Sequence, residues 1–136
     1  MCNDIIDGIS CALNEYFGEE YKIYAETVEQ GLSSPCFFIS HEDTQKKKML
    51  GDRYIARYNF DIQYFPKESK AEMLDMAERL PECLDNIELS DGSSVRGKGM
   101  RYSIINGVLH FNVSFSVILA KMAEADIMDS ISYSIL

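Results

Sequence analysis

Few residues in this sequence stand where chemistry would need them. A metal centre needs His, Cys or carboxylates at ligand spacing, and hydrolysis needs a nucleophile beside a base. His41 and His110 fall in separate strand-like runs, and neither belongs to a ligand spacing. His110 reads as an ordinary surface histidine on the polar side of its strand. Cys2, Cys11, Cys36 and Cys83 form no C-x-x-C or zinc-like pattern. Cys11 lies on the apolar stripe of the first helix, Cys36 opens a strand, and Cys83 sits near an apolar helix face. They read as reduced, buried thiols, and the sequence alone leaves a disulfide open. Arg96-Gly97-Lys98-Gly99 has the composition of a phosphate loop, but it leads into a strand rather than a helix, so it reads as a flexible loop. Glu19-Glu20 reads as a solvated helix end. No catalytic residue, metal ligand or cofactor site is expected.

One cluster does concentrate charge. Lys46, Lys47 and Lys48 precede a turn at Leu50-Gly51-Asp52, and Arg53 and Arg57 follow it. If the chain pairs about Gly51, the three lysines fall opposite Arg53 to Ala56, with Asp52 the only acid among five cations. Like charges on facing strands disfavour pairing unless solvated or countered. Three readings stay open: a solvated tip, a contact for an acidic protein surface, or lysines that guard an exposed sheet edge.

The elements that would position these residues follow from periodicity. In DIIDGISCALNEYF (4–17), Ile5, Ile9, Leu13 and Phe17 recur every four residues, which makes one helix stripe. Asn3 or Asp4 can cap it, and Gly18 supplies a stop. YKIYAETV (21–28) reads as a strand and EQGLSSP as a loop. In RYIARYNFDIQYF (53–65), Tyr54, Ala56, Tyr58, Phe60, Ile62 and Tyr64 point one way. Arg53, Arg57, Asn59, Asp61 and Gln63 point the other, with Ile55 as the exception. That is a half-buried antiparallel strand, ended by Pro66. Ser69 and Glu72 have capping-box spacing before a helix carrying Met73, Ala77, Leu80, Leu84 and Ile87, which Pro81 should kink or split. SDGSSVRGKG (90–99) reads as a loop. Asn106-Gly107 joins MRYSII to VLHFNVSFSVIL through a type I′ turn.

The expected fold is α+β: an antiparallel or mixed sheet of about five strands with two main helices packed on one face, in the order α-β-β-β-α-β-β plus a C-terminal tail. Residues 1–136 read as one domain, with 122–136 as a tail that adds an edge strand through Ile131, Tyr133 and Ile135 or reaches a neighbouring chain. The net charge of −9 disfavours binding to nucleic acid, which needs cations to replace counterions along the phosphates. No signal peptide is visible, and no apolar run is long enough to span a bilayer, so the chain reads as intracellular and soluble.

Three phrases carry a resemblance: the opening DIIDGISCALNEYFGEEYKIYAETVEQGLSSPCFFI, the strand RYNFDIQYFP running into a Glu-rich helix, and INGVLHFNVSFSV. In this order they resemble the phage tail terminator (tail completion) family found in prophages of Firmicutes, over most of residues 4–120. The resemblance implies a small α+β structural subunit of the virion tail, made in the host cytoplasm, that forms a homo-oligomeric ring, usually a hexamer. Such a ring caps the head-proximal end of the tail tube, ends tube polymerisation, and meets the tube protein on one side and head-completion proteins on the other. DNA passes through the lumen without sequence-specific binding, and no membrane, cofactor or reaction is implied. A head–tail connector component, or a binding module of a mobile element, is the alternative. The residues put forward for protein contact are Lys46, Lys47, Lys48, Arg53 and Arg57.

Overall fold

The computed structural model describes residues 1–25, 35–121 and 133–135. Along the chain run α1 (Cys2–Phe17), β1 (Lys22–Tyr24), β2 (Cys36–Lys48), β3 (Arg53–Phe65), α2 (Lys70–Leu84), β4 (Asn86–Glu88), β5 (Ser94–Ile105), β6 (Val108–Lys121) and β7 (Tyr133–Ile135). The strands make one sheet in the order β1-β2-β3-β6-β5-β4, with β7 pairing β6 off that path. β1 joins β2 in parallel and the other pairs are antiparallel, so the sheet is mixed. The expected class and element order hold. The strand count rises because β4 and β7, each of three residues, add to the five expected.

The centre of the sheet is the β3–β6 pair, in register from Arg53↔Ala120 to Tyr64↔Leu109. Alternation on both strands sends Ala56, Tyr58, Phe60, Ile62 and Tyr64 to the same face as Leu109, Phe111, Val113, Phe115 and Val117, and all are buried. Phe37 and Ile39 extend this face through β2. Ile5, Ile9 and Leu13 of α1 and Met73, Met76, Ala77, Leu80 and Leu84 of α2 cover it. Fully burying each such side chain contributes about 1.5–3 kcal/mol, which is what holds two short helices to the sheet. The helices also meet each other: the Cys83 thiol donates to the Ala12 carbonyl at 3.4 Å, and the Tyr16 hydroxyl donates to Glu82 at 2.9 Å.

Local signals were realised with corrections. Ser69 caps α2, its hydroxyl accepting the Glu72 N–H, but the Glu72 carboxylate does not return to Ser69. It accepts instead from the Tyr64 hydroxyl and the Lys67 N–H, both at 2.7 Å, and so ties α2 to the end of β3. Burial, with this hydrogen bond second, holds the Tyr64 phenol protonated far above the usual range. α1 begins at Cys2, so Asn3 and Asp4 lie inside its first turn rather than capping it. Pro81 does not split α2. A missing N–H costs one helical bond, while Cys83 and Leu84 in the following turn stay buried. Ile87 leaves the helix and is buried from β4. The Asn106-Gly107 turn forms with φ of 50° and 76°, the two positive angles a type I′ turn requires. The expected strand over residues 21–28 and loop over 29–35 are described only at 21–25 and 35, and Ile131 lies outside the described residues.

Arg96-Gly97-Lys98-Gly99 is strand, not loop, because β5 starts at Ser94. The glycines serve close approach here. A Cβ on Gly97 would collide with the Leu84 carbonyl oxygen, and the Gly97 N–H donates to the Asp85 carbonyl at 3.0 Å. The end of α2 thus rests directly on the β5 backbone. Gly97→Ala should destabilise the protein by about 1–3 kcal/mol through overpacking, read as a lower urea midpoint with unchanged slope. An unchanged midpoint would contradict this contact.

Candidate functional site

The register of the β2–β3 hairpin distributes the five cations put forward from sequence. Lys46 pairs with Ala56, Lys47 with Ile55 and Lys48 with Tyr54, and the Met49 N–H donates to the Arg53 carbonyl at 2.8 Å. Directly paired residues share a face. Lys46 and Lys48 therefore stand on the helix-bearing side, whereas Lys47, Arg53 and Arg57 stand on the helix-free side. All five are exposed. Among the described residues the three lysines have no hydrogen-bond or ion-pair partner. Arg57 is drawn out of the group: its Nη2 donates to Ser114 Oγ at 3.3 Å. Leu50, at the turn, is 93% exposed.

Arg57 leads into a feature the sequence did not reveal. The helix-free face carries a hydrogen-bonded polar network around a cleft of about 370 Å³, whose lining includes Glu42, Asp43, Arg57, Asn59, Arg101 and Ser114. Two register shifts flank it, one in β2 between His41 and Asp43 and one in β5 between Lys98 and Arg101. Both adjoin the row Asp43–Asn59–Ser114–Lys98 that crosses four strands. Bulges of this kind bend a strand and re-aim a side chain. In β2 the extra residue is Glu42, whose carboxylate accepts from Asn112 Nδ2 at 2.7 Å. In β5 the bulge uses Gly99 at φ 61°, where even a Cβ would lie 3.3 Å from the Arg57 guanidinium.

Along the central row, Ser114 Oγ donates to Asn59 Oδ1 and Asn59 Nδ2 donates to Asp43. Ser114 is buried. One row away, Asp61 Oδ2 accepts from His110 Nδ1 at 2.9 Å and from Gln63 Nε2 at 3.2 Å. Its Oδ1 is buried without a hydrogen-bond partner among the described residues, which costs desolvation. His110 is accordingly a half-buried, paired histidine rather than the ordinary surface one expected. The arrangement offers hydrogen-bond donors and acceptors in fixed positions. Within it Ser114 Oγ bonds to Asn59 and Arg57, and the His110 ring to Asp61. Such a surface suits recognition.

The thiols divide by burial. Cys36 and Cys83 are buried, and burial pushes the Cys83 thiol up to about 12 and raises that of Cys36. Cys11 is exposed, two residues from both Ile9 and Leu13 and so turned away from the stripe they form, which corrects its expected burial. All four cysteines are free. Among the described residues, no group of three or more His, Cys, Asp or Glu could hold a metal ion, and no helix is long and apolar enough to cross a membrane.

A family model described as "Phage tail terminator protein" matches residues 4–127, a span that includes both the hairpin and the polar row. No curated protein matches the chain.

Asn59 is the residue on which the polar row turns, bonded on one side to Asp43 and on the other to Ser114. Asn59→Ala should cost about 1–3 kcal/mol, since one bond reaches a charged group and the other a buried hydroxyl. Lys47→Ala, with no partner to lose, should leave the unfolding midpoint within error. Equal effects in a denaturation series would show that the network carries no stability.

Proposed function

The chain belongs to the phage tail terminator family, and from that premise we propose that it caps the head-proximal end of the tail tube as a homo-oligomeric ring. In this reading the ring, a hexamer by family likeness, stops addition of tube subunits and offers its other surface to head-completion proteins. The carrying observation is the family match over residues 4–127, nearly the whole length of the fold. Two physical features support it. A net charge of −9 suits a subunit beside a channel that DNA must cross without adhering. A closed ring needs two unlike patches on each subunit, and this subunit carries a hairpin whose three lysines have no ion-pair partner among the described residues, on an otherwise acidic body.

Deleting the gene from the phage and imaging the particles tests the assignment. A terminator's loss should give tails of uncontrolled, excessive length. Tails of normal length lacking heads would point instead to a head–tail connector, and unaltered virions to a binding module outside the particle.

A further inference from the structure

Opposite the hairpin in strand order lies a second surface that the polar row does not include. α1 and β4 enclose a groove of about 420 Å³. Its floor is apolar, with Ala12 from α1 and Ile87 and Leu89 from the β4 segment. Its rim is acidic, with Asp7 and Glu15 on α1 and Glu88 on β4. All three carboxylates are exposed, and among the described residues none has a hydrogen-bond or ion-pair partner. Gly8 lets the helix approach the strand closely here: a Cβ on it would stand 2.9 Å from the Glu88 carbonyl oxygen.

The hairpin tip is the converse of this groove. An apolar side chain, Leu50, projects at 93% exposure from a stem that carries three lysines without a partner among the described residues. β3, β6 and β5 stand between β2 and β4 in the sheet, so the tip and the groove belong to different ends of the strand order. We propose that the hairpin tip of one copy seats in the α1–β4 groove of the next, Leu50 on the apolar floor and Lys46, Lys47 and Lys48 against the rim carboxylates. The occupant is a second copy because knob and groove match in both polarity and charge sign. Two unlike patches give a head-to-tail contact, which propagates until it closes. Opposed charges at the rim set register and exclude tip-to-tip or groove-to-groove pairing, where like charges would meet.

This pairing rests on the ring reading, but the two fail separately. Cys11 stands in the groove and is exposed, so it serves as a built-in reporter. Leu50→Cys, oxidised mildly with diamide at concentrations where the chain assembles, should give a covalent ladder of dimers, trimers and higher species. The ladder should disappear in Leu50→Cys/Cys11→Ser. A dimer formed without Cys11, or no cross-link, overturns the pairing; if wild-type rings are still seen by native mass spectrometry, the ring reading survives it. Charge exchange gives an independent reading without relying on Leu50. A chain with Lys46→Glu, Lys47→Glu and Lys48→Glu, and another with Asp7→Lys, Glu15→Lys and Glu88→Lys, should each lose assembly at moderate salt. Mixed in equal amounts they should regain it, alternating around the ring. Loss without recovery on mixing, or no loss at all, overturns the proposal and leaves the tip to a different partner such as the tube subunit.

Discussion

Twelve consecutive residue pairs join β3 to β6, and the rest of the structure depends on that register. Side chains on a strand alternate, so a slip of one residue would turn the apolar set of one strand onto the face that carries the polar set of the other. In the observed register, one face collects Tyr58, Phe60, Ile62 and Tyr64 with Phe111, Val113 and Phe115, a surface only a helical layer can keep from water. The other collects Asn59, Asp61 and Gln63 with His110, Asn112 and Ser114, a surface that must satisfy its own hydrogen bonds. The helices, the polar row and the direction of the hairpin follow from the same pairing.

Much of this was legible because alternation and turn chemistry are local. Two positive φ angles at Asn106-Gly107, the Ser69 cap and the stop at Pro66 are written in single residues or neighbours. Several of the misreadings share a cause: the residue's role comes from an element beyond its own. Gly97 and Gly99 look like flexibility until the α2 carbonyl and the Arg57 guanidinium are set against them. Ile87 fits a helical stripe, yet the chain has already turned into β4. His110 and Asp61 are far apart in sequence and become partners only once β3 and β6 lie side by side. A signal for the polar row did exist, in the matched polar period of two long strands. The bulges that gather it around a cleft left none.

The family reading and the physical reading bear on different scales. Family membership says what kind of assembly the subunit joins. Charge and burial say how a subunit of this fold can meet a neighbour. Among the described residues, the apolar surface is largely covered by one layer of helices, and the large apolar side chains left exposed are few, Leu50 and Ile105 among them. Contacts made by such a surface are selective more than adhesive.

The bulge at Glu42 has a consequence for how the hairpin tolerates changes in length. Two residues of β2 there oppose one of β3, and beyond it Asp43 sits across from Asn59. A variant that lost Glu42 would regain a regular ladder with Asp43 still across from Asn59, and every lysine would keep its side. A variant that gained one residue between Asp43 and Lys46 would turn the three lysines over while leaving the core pairs before it in place. Deletions at this point are therefore nearly silent for the tip, and insertions just past it rewrite what the tip displays. One added codon just past the bulge would thus exchange the faces that the three lysines occupy.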